Sequence, residues 1–433
     1  MFATLDGRAV ETRRLLQLLT HREGDTLEWP PASAWDWRQF AETCETHGVT
    51  SFIYWRLQAL MGRAVPDELL EHLHLNSLQI CARNYQLAKQ LVDLSSLLQN
   101  EGISSLAYKG PALSMAVYGG LALRHCSDLD LVIRKEQLVR AADLMAGWNF
   151  EATHTWGRPQ LTPYMCRPDN PRHVEQAKEI PFRASDSAYF VDLHWCLGDR
   201  FWLPFSPDVD KLWERSVCLD LPTGTVSTLC LEDLFLALCA HGARHRWGCL
   251  KWLVDIVELL HKAGSFNWSR IEEMVRIRPW AGATASLALV LARDLLGVAA
   301  PLEAGKILPA TARTLAVASA IREEILTRGE SSGNENATLL ALEGRPLQRM
   351  KYRTLLILRY PDSLLREIFV RVSPQDRALT RLPKNLEFLY YIIRPVRLVA
   401  KHCTRAARTL WSTAVGARLA RRRADRPITD QRR

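Results

Sequence analysis

The chain has 433 residues, 48% of them hydrophobic and 24% charged, which is the ordinary mix of a globular protein. That composition excludes a wholly disordered chain, a collagen and a coiled-coil rod. Lys and Arg outnumber Asp and Glu by 56 to 47, a formal +9, and a bulk charge of that sign suggests a polyanionic partner.

Residues 1–100 read as helical. The clearest stretch is Ser77 to Gln99, where Leu78, Cys81, Tyr85, Ala88, Val92, Ser95 and Leu98 recur at three- and four-residue steps and predict one buried face. Glu101-Gly102 ends it. A strand is predicted over Ile103–Tyr108, then a helix over Pro111–Tyr118, broken by Gly119-Gly120. Asp128–Ile133 predicts a second strand and Lys135–Trp148 a helix. Gly157–Arg172, rich in Pro and polar residues, predicts a long loop, and Glu179–Ala184 with Tyr189–Trp195 a hairpin. From Thr228 on helices dominate, over Leu231–His241, Leu250–Lys262, 280–299, 309–328, 348–358 and 384–420. Gly329–Ala337 (GESSGNENA) is the best linker candidate. The chain then divides into a helical region over 1–100, an α/β core over 101–222, a helical domain over 223–330 and a C-terminal helical region over 331–433.

The chemistry concentrates at Ser127-Asp128-Leu129-Asp130-Leu131-Val132. Alternate side chains of a strand share a face, so Asp128 and Asp130 point the same way, about 6.6 Å apart along the strand. Paired carboxylates repel unless a hard cation lies between them, and Mg²⁺ takes carboxylate and phosphate oxygens together. A bare D-x-D can also be a plain acidic strand face. Here the context favours the metal. Lys109-Gly110 closes the first strand at a helix start, where backbone amides can cradle phosphate and Lys109 can serve as a point charge. Asp192 is a third carboxylate, set between apolar strand neighbours where an acid is costly without a partner. Three carboxylates beside a phosphate cradle are the layout that two-metal phosphoryl chemistry needs.

This order of motifs, Leu106-Ala107-Tyr108-Lys109-Gly110, Arg124, Ser127 to Val132, then Val191-Asp192-Leu193-His194-Trp195, resembles the uncharacterised nucleotidyltransferase family of the DNA polymerase β-like superfamily. The run from His241 to Trp247 and Lys251-Trp252-Leu253-Val254-Asp255 resembles that family's helical part. The resemblance spans roughly residues 75–300. It implies an α+β fold, a small mixed-sheet core with large flanking helical regions. It implies that Asp128 and Asp130 bind Mg²⁺, or Mn²⁺ in its place, and that Asp192 completes the metal site and helps to deprotonate an acceptor hydroxyl. Lys109, Gly110 and Arg124 would hold the phosphates of an NTP. The reaction implied is transfer of NMP to a hydroxyl on a small-molecule, peptide or nucleic-acid acceptor. The wider superfamily has Gly-Ser at the first turn and its carboxylates about a dozen residues on; here the turn is Lys109-Gly110, and Asp128 follows Gly110 by 18 positions. A chain that binds nucleotide without turning it over, as an adaptor whose helical regions and tail recruit a partner, is the alternative.

His241 and His245 could line the cleft with Arg244, Arg246 and Lys251 and hold base or phosphate, could bind zinc with Cys249, or could form the polar rim of an amphipathic helix. A zincin is excluded because Gly242 stands where its Glu would be. Asp255, among apolar neighbours, is expected to be structural, with Lys251 or a His as partner. His194 is expected to pack on the face opposite Asp192.

The ten cysteines are scattered without a C-x-x-C pair and predict reduced thiols and a cytoplasmic location. No apolar run follows the basic residues near the start, so no signal peptide is expected. The greasiest stretch, Ala283–Ala300, is interrupted by Arg293 and Asp294 and predicts no membrane span. Residues 394–433 carry 12 basic and two acidic side chains, and the other 393 residues carry 44 and 45. The basic charge therefore belongs to the tail, an amphipathic segment suited to a polyanion or to peripheral contact with a membrane surface.

Overall fold

The structure is a computed structural model that describes residues 7–20, 36–59, 65–153, 179–184, 189–197, 209–331 and 335–344. The loop expected over Gly157–Arg172, the helices expected over 348–358 and 384–420, and the basic tail lie outside the described residues.

Among the described residues four helices come first: α1 (Gly7–Thr20), α2 (Trp37–Thr46), α3 (Thr50–Ala59) and α4 (Asp67–Asn100). The buried stripe of α4 is Leu87, Ala88, Leu91, Leu94 and Leu98, continued by Asn84. It is rotated from the expected face, since Leu78 is 55% and Tyr85 48% exposed. Two apolar stripes run along this helix, and the sheet covers only one. Asn84 is buried with it because its amide donates to the carbonyls of Leu121 and Arg124 and its carbonyl accepts from the Cys126 N–H.

The α/β core follows: β1 (Ser105–Ala107), α5 (Gly110–Tyr118), β2 (Asp128–Ile133), α6 (Leu138–Gly147), β3 (Phe150–Ala152), β4 (Glu179–Ala184), β5 (Phe190–His194), α7 (Val209–Glu214), β6 (Val217–Leu221) and β7 (Gly224–Thr228). They form one seven-stranded sheet in the order β3-β4-β5-β2-β1-β7-β6. The β2–β5 and β1–β7 pairs are parallel and the others antiparallel, so the sheet is mixed. The expected β4–β5 pairing is present, with Phe182 opposite Val191. Strand β3 and the β6–β7 hairpin were not expected. The hairpin's signal was the alternating Thr225-Val226-Ser227-Thr228 after Gly224, whose φ of 149° suits glycine alone.

Leu129, Leu131 and Ile133 of β2, with Val191 and Leu193 of β5, share a buried cluster with Leu91, Leu94 and Leu98 of α4 and Ala141 and Met145 of α6. Period two then sends Asp128, Asp130, Asp192 and His194 to the other face.

The remaining helices among the described residues are α8 (Leu231–Arg244), α9 (Leu250–His261), α10 (Trp268–Ile277), α11 (Pro279–Leu296), α12 (Leu302–Ile307), α13 (Ala312–Arg328) and α14 (Glu335–Leu342). Helix α11 packs against α1, α8, α9, α10 and α13, and is buried along most of its length. That explains the greasy composition of this stretch: no described helix is long and apolar enough to cross a membrane.

The expected linker is a correction. Gly329 and Ser331 are tied into the fold, and Glu335–Leu342 is helical. The Gly329 carbonyl accepts from Thr12 and from His47 Nε2, and Ser331 Oγ donates to Glu324. Of the residues that read as a linker, Gly329 and Ser331 serve here as hydrogen-bonding partners.

His47 is 2% exposed, and its neutral form is fixed by its partners. Its Nδ1 accepts from the Leu250 N–H, so its proton sits on Nε2 and faces Gly329. Burial pushes its pKa down to about 4. Below its ordinary value of about 6.5, the unfolded chain binds a proton that the folded chain refuses. Stability should therefore fall by about 3 kcal/mol as pH drops from about 6.5 to about 4. In urea melts across that window, His47→Gln should flatten the slope by up to one proton; an unchanged slope contradicts the assignment.

Candidate active site

Parallel pairing of β2 and β5 sets Asp130 directly beside Asp192, and Asp128 beside Phe190. Asp130 is 1% exposed. Its Oδ1 receives Lys109 Nζ at 2.7 Å and His194 Nε2 at 2.9 Å. Burial disfavours its charge, but Lys109 and His194 outweigh burial and hold the carboxyl below the usual range. Burial also works against the Lys109 ammonium, and Asp130, then Tyr108 and Asp128, outweigh it and keep its pKa above the ordinary value. At Asp192 the lowering effect of His194 is outweighed. Burial first, then Asp130 and Glu179, push its pKa up to about 7.

Lys109 is the N-cap residue of α5, and Gly110 is the first residue of that helix. Gly110 has a φ of +56°, and a Cβ there would stand 2.7 Å from the Asp128 carbonyl oxygen. Glycine is needed both for the left-handed backbone and for the close approach of the turn to β2. This brings the α5 start, Lys109 and the start of β2 into one corner. Ser127 Oγ donates to Asp128 Oδ1 at 2.9 Å and orients that carboxylate at the open end of the strand.

Asp130 Oδ2 and Asp192 Oδ1 are buried without a hydrogen-bond partner. Two orphaned oxygens on neighbouring carboxylates are costly unless a cation satisfies them. Ligand atoms of Asp130, Asp192 and His194 lie within 4.8 Å of one another, the sole such grouping of three among the described residues. The two carboxylates, each with a buried oxygen to offer, therefore fit a hard divalent cation, while His194 already holds Asp130 through Nε2.

His194 corrects the sequence reading. Residues two apart in a strand share a face, so His194 lies on the side of Asp192, not opposite it. Its Nδ1 lies 3.0 Å from Glu179 Oε2 and its ring stands edge-on to Tyr108 at 5.3 Å. Burial opposes its positive charge, but Glu179 and Asp130 outweigh burial and raise its pKa. The period-two pattern was a sufficient signal to find it.

Arg124 is 5% exposed, and its Nε and Nη2 both donate to the Asp255 carboxylate, at 2.8 and 3.0 Å. The Tyr118 hydroxyl donates to the same group at 2.7 Å. Asp255 is structural as expected, but its partners are Arg124 and Tyr118 in place of Lys251 or a His. Arg124 is thus a buried cross-link from the α5–β2 connection to α9, with its guanidinium committed to a carboxylate.

His241 and His245 are half-buried beside Trp252, His241 edge-on to the indole and His245 tilted to it, the two imidazoles 4.7 Å apart. Cys249 Sγ donates to the His47 carbonyl at 3.0 Å, so the suggested zinc trio is not assembled. Gly242 is explained by packing: a Cβ there would meet the Trp247 indole at 2.5 Å. Arg246 leaves the rim for Glu324 and Thr338.

Residues 33–297, more than half of the chain, match the family described as an uncharacterised nucleotidyltransferase. The chain belongs to this family. No curated protein and no solved structure matches it. The family's region takes in the whole seven-stranded sheet and the Lys109–Asp130–Asp192 corner.

Asp255→Ala should leave a buried, unpaired guanidinium and cost about 3–5 kcal/mol, read from the urea midpoint. A loss below 1 kcal/mol would show that Arg124 finds other partners. Gly110→Ala should cost at least about 1–2 kcal/mol from φ alone and more from the Asp128 clash. Thermal melting should report it as a clear drop in Tm.

Proposed function

We propose that the chain is a Mg²⁺-dependent nucleotidyltransferase that moves NMP from an NTP to a hydroxyl acceptor. The observation that carries this reading is the pair of orphaned, buried oxygens on Asp130 and Asp192 beside the Lys109-Gly110 turn. Membership of a nucleotidyltransferase family supports it.

On this reading Asp130 and Asp192 hold the divalent cation, and Asp128 joins them from the open end of β2. A bound Mg²⁺ or Mn²⁺ supplies charge neutralisation at the reacting phosphate and its leaving group. His194 is a positioning residue that fixes the Asp130 carboxylate through Nε2. Lys109 already sits on Asp130, so the same ammonium can serve a phosphate as a mobile point charge. The α5 start offers backbone N–H groups to the polyphosphate, and Gly110 lets that turn approach β2. Asp192 takes the acceptor hydroxyl's proton.

One observation favours the non-catalytic alternative. Lys109 answers one oxygen of Asp130 from within the chain, which would suit the nucleotide pocket of an adaptor.

The test is labelled NTP, Mg²⁺ or Mn²⁺ and a cell extract as the source of acceptor. The expected outcome is label transfer and pyrophosphate release, each falling at least 100-fold in Asp130→Asn and Asp192→Asn. NTP binding that survives Asp192→Asn with no pyrophosphate release would favour the adaptor. Absence of both metal and nucleotide binding would overturn the reading.

A further inference from the structure

Outside the carboxylate corner, two helices bring basic residues up to the connection that leads into β2: α4 through Arg83, and α9 through Lys251, one turn before the Asp255 that holds Arg124. Arg83 of α4 is exposed at the surface, and its Nη2 donates to the Ser127 carbonyl at 3.3 Å. Lys251 opens α9, with its N–H on the His47 carbonyl at 3.1 Å. Its stem lies across Gly48, where a Cβ would come within 2.7 Å of Lys251 Cδ. His125, half-buried, lies on the connection itself, next to Arg124.

The charges in this corner are not balanced. Arg124 has Asp255, but among the described residues no carboxylate lies within ion-pair distance of Arg83 or Lys251. The side chains acting on His125 are all cations. Burial first, then Lys251, Arg83 and Arg124, push its pKa down to about 4. Cations gathered without a counter-charge repel one another, and a bound anion relieves that repulsion. Asn84 and the Arg124–Asp255 pair hold the connection in place, so the backbone that carries His125 is set before any ligand arrives. His125 precedes Asp128 by three residues, so at most about 11 Å of chain separates the cluster from the carboxylate face.

We propose that Arg83, His125 and Lys251 form a second anion site, which takes a phosphate group of a phosphorylated ligand and holds it next to Asp128. The proposal deepens the nucleotidyl-transfer reading. It rests on that reading only for the choice of ligand, the donor's polyphosphate or a phosphate carried by the acceptor. Arg83 and Lys251 supply charge and N–H donors, and His125 gains a proton as the anion binds.

Inorganic pyrophosphate in EDTA is the first probe, titrated calorimetrically into the full chain. Arg83→Gln with Lys251→Met, which keeps the lysine stem over Gly48, should weaken binding at least about tenfold. Arg83→Lys should recover part of it. In parallel, the His125 ring resonance should report a pKa that rises when pyrophosphate is added. The second probe is ATP with Mg²⁺. A matching loss of ATP affinity assigns the site to the donor, and an unchanged ATP affinity assigns it to the acceptor. Pyrophosphate bound through the cluster by a chain that binds no NTP keeps this site and removes the nucleotidyl reading. Pyrophosphate that fails to bind wild type, or that binds the double variant as tightly, overturns the proposal.

Discussion

The structure turns on a charged group where a sheet least tolerates one. Asp130 lies mid-sheet at 1% exposure, and a carboxylate there is affordable only if its surroundings answer its charge. Lys109 and His194 answer it on one oxygen and leave the other without a partner. Neighbouring elements are placed to keep that arrangement. Gly110 lets the turn carrying Lys109 press against β2, parallel pairing brings Asp192 alongside, and β4 brings Glu179 up to His194.

The helical regions are fastened to this sheet by polar ties as well as by apolar packing. Asn84 fixes the connection between α5 and β2 to the long helix α4. Arg124 and Tyr118 fix the same segment to α9 through Asp255. His47 joins α2 to the start of α9 and to the end of α13. Each tie buries polar groups that hydrogen-bond fully only in one geometry, so each specifies an arrangement more than it adds stability. Together they hold the residues preceding Asp128 from both sides.

Charge is divided by place. The body is nearly neutral in sum and the tail holds the excess of base. Within the body, acids gather on one sheet face, while Arg83 reaches the connection beside it that carries His125. Opposed fields a few residues apart suit a ligand that carries both metal and phosphate.

The sequence by itself determined the order of chemistry: Lys109-Gly110 at a turn, Asp128 and Asp130 on one strand face, Asp192 on another strand, and helices on either side. Those features depend on local spacing, which a period of two or 3.6 makes readable. The strand spacing also held His194, whose side of the sheet follows from its distance to Asp192. Only the tertiary structure decided which stripe of α4 is buried, because that depends on which face the sheet covers. It also decided that Arg124 answers Asp255, that Gly329 anchors His47, and that β7 pairs beside β1. Partners such as Arg124 and Asp255 lie far apart in the chain, and no local spacing records which buried charge will meet which.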